Sequence, residues 1–188
     1  MNSYAVRPSG TIICQGLEGY VLTPAPPSTG VPEGSILDLS TPKYNQYMFD
    51  YKGYVALAFT WKDQQALWQN FATVDMTNCH MSHHSLGGAN PPGPPIPGAM
   101  NVGEMLSQPY VNVSELIMKG VQFTDFGMNP KSPASVQNAI CVALTTALNL
   151  CPKITKVNLQ NTDPVLDSTS QSHIKANCRT VPSGGFTF

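Results

Sequence analysis

Charged side chains are scarce in this chain of 188 residues, where Asp, Glu, Lys and Arg together make up 11 %. This is less than half of the usual roughly 25 %. A free soluble monomer usually carries more charge, whereas a chain covered by neighbouring subunits does not need it. Two explanations remain open: burial against copies or partners, or an extracellular domain kept soluble by neutral polar residues.

Clusters of basic residues are also missing. Lysines and arginines are scattered singly, and the net charge is −1. Binding to a nucleic-acid backbone needs several converging cations. The phosphate-loop and dinucleotide fingerprints are absent as well. The sequence therefore argues against direct nucleic-acid binding.

The chain lacks the marks of export, membrane insertion and disulfide scaffolds. Its first residues contain no apolar signal-peptide core, and no run of about eighteen apolar residues occurs. The five cysteines are odd in number and widely spaced, which favours reduced, buried thiols. We expect synthesis in the cytoplasm, no membrane span, and a final location in a virion or an extracellular assembly.

Catalytic patterns are missing too. No Gly-x-Ser-x-Gly elbow occurs, and the glutamates are isolated from one another. We therefore expect no enzymatic activity and no cofactor.

One uncharged stretch from Ser132 to Cys151 predicts a single buried helix. Ser132 is suited to the N-cap, Pro133 to the first turn, and Pro152 to ending the helix. Apolar residues recur at helical spacing, and little polar surface remains on the other sides. We expect the rest of the chain to be organised around this helix.

The remaining pattern is one of short strands, turns and proline-rich loops. Strands are expected within 9–23 (a hairpin or two short strands), 36–39, 44–59, 121–126 and 154–159, loops at 24–34 and 87–98, and an irregular segment at 160–180. The sequence thus predicts one α+β domain over residues 1–188. Its short, mostly antiparallel strands would surround one long buried helix, with extended N- and C-terminal arms.

Two copies of an Asn-x-x-Glu pattern predict helix starts. They are Asn101 with Glu104 and Asn112 with Glu115. In each copy the Asn side chain would cap the helix, and the Glu would reach back to the N-cap N–H. We expect a short helix after each.

Aromatic side chains mark two candidate contact surfaces. Trp61 and Trp68 fall on one face of a predicted helix over 61–72, which would either pack in the core or dock a partner. Phe186 and Phe188 share one side of an extended tail behind Gly184-Gly185. That tail would either add a strand to a neighbouring subunit or fold back onto its own core.

Cys79, His80, His83 and His84 form the one cluster with metal-ligand chemistry, suited to Cu or Zn. The fragment Cys79-His80-x-x-x-His84-x-x-x-Gly88 resembles the copper-ligand segment of multicopper oxidases. The resemblance implies type 1 copper ligands at Cys79 and His84 and a trinuclear-centre ligand at His80. The leading histidine of that segment is absent, and so are its companion His-x-His segments. We expect a strand end or loop here, without a closed metal site, and at most adventitious Cu or Zn.

These observations favour a structural or assembly protein, such as a subunit of a virion shell, decoration layer, spike or filament. Its partners would be copies of itself or other structural subunits. Two alternatives stay open: an accessory subunit of a larger complex, and a small copper- or zinc-binding protein that uses the Cys79–His84 cluster.

Overall fold

The computed structural model describes residues 3–8, 22–24, 33–38, 69–82, 86, 101–124 and 132–188. Its strands are β1 (Ser3–Pro8), β2 (Leu22–Pro24), β3 (Ser35–Asp38), β4 (Phe71–Asp75), β5 (His80–Ser82), β6 (Glu115–Ile117), β7 (Gln122–Thr124), β8 (Lys156–Asn158) and β9 (Phe186–Thr187). Its helices are α1 (Val102–Leu106), α2 (Pro133–Asn149) and α3 (Ser168–Asn177), with one 3₁₀ turn at Ser183–Gly185. The predicted strands at 44–59, the helix start at 61 and the loop at 87–98 lie outside these residues.

The main sheet is parallel, and the expectation of mostly antiparallel strands around one long helix is wrong. Its order is β2-β1-β3-β4-β6-β8-β9, and only β1 and β2 pair antiparallel. A second sheet joins β5 to β7, again in parallel. Consecutive parallel strands need long connections, and α2 and α3 provide two of them.

Three stretches of the chain repeat one pattern of buried residues, apolar-x-x-apolar-x-apolar. Each residue in these positions is at most 2 % exposed: Phe71, Val74 and Met76; Val113, Leu116 and Met118; Ile154, Val157 and Leu159. The middle residues of the three sets are neighbours in the sheet. We call each such stretch, with the segment that leads to the next strand, a coil. The coils stack on one another.

Backbone hydrogen bonds join each coil to the next at the same place. In each case the donor is the backbone N–H of the residue just after a strand. The Met76 N–H donates to the Ile117 carbonyl at 2.7 Å, the Met118 N–H to the Asn158 carbonyl at 2.8 Å, and the Leu159 N–H to the Thr187 carbonyl at 2.6 Å. Residues that pair between the first two coils are 42 positions apart in the sequence, and those that pair between the next two coils are 41 positions apart. The fold is therefore a stack of similar units rather than a helix wrapped by hairpins.

Each coil turns at a residue with positive φ, which lies four positions after the central buried residue. These residues are Asn78 (φ 60°), Gly120 (φ 66°) and Asn161 (φ 56°). Asn and Gly tolerate this left-handed conformation better than other residues do. At Gly120 a Cβ would collide with the Asn78 side chain, so a larger residue there would force that side chain to move.

The first Asn-x-x-Glu prediction is confirmed and the second is wrong. Asn101 caps α1: its Oδ1 accepts from the Glu104 N–H at 2.9 Å, and Glu104 accepts from the Asn101 N–H at 3.0 Å. Glu115 instead begins β6. The Asn112 side chain donates to the Gln69 carbonyl at 2.9 Å, so it ties two coils together.

The long helix is confirmed as α2, with Ser132 as its N-cap. It is not buried on all sides, because Val142 is 48 % exposed and Leu150 45 % exposed. The prediction of irregular structure at 160–180 is wrong, since α3 occupies Ser168–Asn177 with Asp167 as its N-cap. α2 packs against both α1 and α3, and the three helices share one apolar core with the main sheet.

Among the described helices, none combines the length and the apolar character needed to cross a lipid bilayer.

Candidate functional site: the exposed face of the main sheet

Side chains of the main sheet alternate between the core and the opposite side. Leu37, Val74, Leu116, Val157 and Phe186 point into the core and are buried. The residues beside them point the other way. They form two rows across the strands: Ile36, Thr73, Glu115 and Lys156 in one, and Asp75, Ile117, Asn158 and Thr187 in the other. We call these two rows the exposed sheet face.

This face becomes more open from β4 towards β9. Thr73 is 3 % exposed, and its hydroxyl lies 3.5 Å from the carboxylate of Glu115. Ile117 and Asn158 are half-buried, while Lys156 and Thr187 are exposed. The accessible part of the face therefore lies on β6, β8 and β9.

Charge is distributed unevenly over the exposed sheet face. Asp75 and Glu115 lie on the β4 and β6 side, and Lys156 lies on β8. The Lys156 side chain is exposed, and its ammonium forms no hydrogen bond or ion pair with the described residues. Asp75 is already engaged, because its Oδ1 accepts from the Thr77 N–H at 2.9 Å and from the Thr77 hydroxyl at 2.6 Å. Glu115 and Lys156 are direct neighbours in one row, and the apolar Ile117 lies in the other row, between Asp75 and Asn158.

The backbone behind the face is held firmly. The Lys153 ammonium donates to the carbonyls of Pro109 at 3.0 Å and Val111 at 2.8 Å, and to the Asn112 side chain at 2.8 Å. One side chain thus ties β8 to the segment that precedes β6. Binding sites built on such rigid elements lose little entropy when a ligand binds.

The predicted metal cluster is only partly placed. Cys79 is fully buried in the core, and His80 begins β5, where it pairs with Gln122. His83 and His84 lie outside the described residues. No group of three or more metal-ligating side chains occurs within the described ranges. The possibility of Cu or Zn binding stays a prediction.

Of the two predicted aromatic surfaces, the structure describes the one at the C-terminal tail. Trp61 and Trp68 lie outside the described residues. Phe71, the last apolar residue of the helix predicted with them, begins β4 instead. Phe186 is 8 % exposed and Phe188 is partly buried against the chain's own core. The tail thus folds back onto its own sheet, which is one of its two expected positions, and a contact with a partner stays a prediction.

Burial makes the core cysteines poor nucleophiles. Cys79, Cys141, Cys151 and Cys178 are buried and form no disulfide. Burial, with a smaller contribution from Cys178, raises the pKa of the Cys151 thiol to about 12. The thiolate is the reactive form, so almost no Cys151 is reactive at neutral pH.

The helical side of the molecule contains an open polar hollow of about 390 Å³ between α2 and α3. Two of its polar side chains hold the surrounding backbone. The Asn149 side chain donates to the Asn177 carbonyl at 3.0 Å and accepts from the Arg179 N–H at 2.7 Å. The Thr145 hydroxyl donates to the Cys141 carbonyl at 2.8 Å. The bonds of Asn149 fasten α2 to the end of α3.

Comparison with models of known protein families gave no match, and comparison with curated proteins gave none either. The exposed sheet face was not predicted from the sequence. The signal that could have located it is the repeated apolar spacing around Val74, Leu116 and Val157. It marks the residues that face the core, and so identifies their outward-facing neighbours.

Proposed function

We propose that this protein is a protein-binding subunit of a larger assembly and that it binds its partner through the exposed sheet face. The observation that carries the proposal is the register of the stack. Outward side chains of successive coils stand in two straight rows across parallel strands. Such rows present a continuous surface to a partner, and stacked repeat proteins commonly bind through extended surfaces of this kind.

The apolar spacing of the coils supports the same proposal. In leucine-rich repeats an equivalent spacing places one strand per unit in a parallel sheet. Units here are 41 or 42 residues apart, longer than the roughly 20–29 of that class. The likeness is one of spacing and backbone arrangement.

The layout of the face defines the chemistry of the partner. A partner segment would place a cation near Glu115, an anion near Lys156 and an apolar side chain against Ile117. Opposite charges across an interface speed association and fix orientation, and an apolar contact at the centre, once water is excluded, supplies most of the affinity.

The earlier expectation of a shell, spike or filament subunit is a special case of this proposal, and it stays a prediction. So does the expected absence of enzymatic activity. The low charge content, 11 %, supports both a shell subunit and an accessory subunit of a larger complex.

An Ile117→Arg variant tests the proposal. It places a cation at the centre of the exposed sheet face. The matched control, Val142→Arg, puts the same cation on α2, where Val142 is 48 % exposed. Proteins that co-purify with the wild type from its native source should be lost at least tenfold with Ile117→Arg and retained with Val142→Arg. Equal retention by both variants, at equal melting temperatures, would remove the exposed sheet face as the binding surface.

A further inference from the structure

β9 differs from the earlier strands of the stack in what lies beside it. Among the described strands β9 is the outermost on its side, with β8 as its one neighbour. The register places Phe186 beside Val157 and Thr187 beside Asn158. Continuing that register, Phe188 occupies the position of Leu159.

In the earlier coils, the residue equivalent to Phe188 is buried. Leu159, Met118 and Met76 are at most 2 % exposed, and each has a coil on the side towards β9. Phe188 has no such neighbour in the described part of the chain and is only partly buried. Its ring stacks on Phe186, with centroids 5.8 Å apart. The Lys175 ammonium of α3 lies over the same ring, 5.2 Å from its centroid. Among the described residues Phe188 is thus covered by one ring and one lysine, where the earlier coils have a further coil.

On that side of β9, no strand among the described residues pairs with its backbone. The Thr187 carbonyl accepts from the Leu159 N–H at 2.6 Å, so Thr187 directs its polar groups towards β8. Because alternate residues of a strand direct their N–H and C=O groups to opposite sides, those of Phe186 and the N–H of Phe188 point away from the sheet. An edge of this kind is a template for another strand.

We propose that the open edge of β9 pairs with β9 of a second copy of this chain about a two-fold axis. The segment Phe186-Thr187-Phe188 reads the same in both directions. Antiparallel pairing centred on Thr187 puts Phe186 of each copy opposite Phe188 of the other. The outward backbone groups then meet in hydrogen-bonded pairs, and the two Thr187 residues face each other as a non-hydrogen-bonded pair.

This pairing is self-complementary, as a two-fold contact requires. It places the Phe186 ring of the second copy beside each partly buried Phe188 ring, because residues directly opposite in antiparallel strands pack side by side. The contact uses the backbone edge of β9 and the core-side rings of Phe186 and Phe188. Thr187 also belongs to the exposed sheet face, so the dimer is measured with the purified chain alone, without any partner.

A Thr187→Cys variant tests the pairing. Residues in a non-hydrogen-bonded antiparallel pair have Cα atoms about 4.5 Å apart, within the range that a disulfide spans. Mild oxidation of the purified full chain should give a covalent dimer of twice the 20.2 kDa chain mass. The matched control is Thr146→Cys, an exposed position on α2, which should give at least tenfold less dimer.

A second variant tests the contact without covalent bonding. Thr187 is exposed, so Thr187→Glu leaves the single chain undisturbed but places two carboxylates opposite each other in the dimer. Like charges in that position should raise the dimer dissociation constant about fivefold, as measured by sedimentation equilibrium, whereas Thr146→Glu should not change it. Three results would overturn the proposal: no covalent dimer with Thr187→Cys, equal dimer with Thr146→Cys, or a dimer that Thr187→Glu weakens no more than Thr146→Glu does.

Discussion

Gly103 in α1 lies directly against Ala147 in α2, so closely that a Cβ on Gly103 would stand 2.8 Å from the Ala147 Cα. The Gly103 carbonyl also accepts from the Cys151 thiol at 3.5 Å. This contact joins the first and second helices of the stack. Since neither backbone can retreat without moving its own coil, the spacing of the two helices depends on a missing side chain.

Gly103→Ala should therefore destabilise the fold. Overpacking a close-packed contact costs about 1–3 kcal/mol, more than alanine gains from its better helix propensity. The matched control is Gly184→Ala, because a Cβ there would meet nothing within 4 Å, and it should change stability by no more than about 0.5 kcal/mol. Chemical denaturation measures both. Equal stability of Gly103→Ala and the wild type would mean that α1 and α2 are further apart than described.

Leu144→Asp should be severely destabilising. Leu144 is fully buried in α2, and a carboxylate there without a partner costs several kcal/mol, comparable with the whole free energy of unfolding of about 5–15 kcal/mol. Val142→Asp, two residues away on the exposed side of the same helix, is the control. Thermal melting should show loss of the folded state with Leu144→Asp and a change of a few degrees with Val142→Asp. Similar melting temperatures for the two would show that α2 does not face the core as described.

Stability should fall in acid partly through Asp167. Its carboxylate accepts from the Ser170 N–H at 2.7 Å and caps α3, and this bond lowers the pKa of Asp167 below its ordinary value of 3.8. A lowered pKa in the folded state means that the contribution is complete above pH 3.8 and is lost as the pH falls through the folded-state pKa.

Comparison with Asp167→Asn isolates this contribution, because asparagine caps helices about as well without titrating. The difference in melting temperature between the wild type and Asp167→Asn should be constant from pH 7 to about pH 5 and should shift in favour of the variant in stronger acid. A difference that does not vary with pH would contradict the role given to this carboxylate.

The local signals in the sequence were reliable where a single side chain decides the structure. Ser132 caps α2 and Asn101 caps α1 as predicted, because a cap needs one residue at one position. Strands at β3 and β8 were also predicted from short β-favouring runs. A cap and a short β-favouring run both depend on residues that are close together in the sequence.

Strand direction could not be predicted from such signals. Leu116 and Val157 are neighbours in the sheet but are separated by the whole of α2. The short strands look alike whether they pair in parallel or antiparallel. The repeated spacing of buried residues could have indicated a parallel stack, but it is obscured because the connecting segments differ in composition.

The second Asn-x-x-Glu motif failed for a related reason. Asn112 and Glu115 match the capping pattern as well as Asn101 and Glu104 do. However, Val113 and Leu116 belong to the buried positions of a coil, and pairing of β6 with β4 and β8 outweighs the local preference for a helix. α3 was missed because its ten residues include only Ile174 as a large, fully buried apolar side chain, so its amphipathic pattern is faint.

The most direct test of partner binding through the exposed sheet face is site-specific photo-crosslinking in the native assembly. A benzophenone amino acid at position 156 replaces Lys156, which is exposed and makes no hydrogen bond or ion pair with the described residues. The same amino acid at position 146, on the exposed side of α2, is the control. The account predicts one dominant crosslinked protein from position 156 and little crosslinking from position 146. Dominant crosslinking from position 146, or none from position 156 while the chain remains in the assembly, would contradict it.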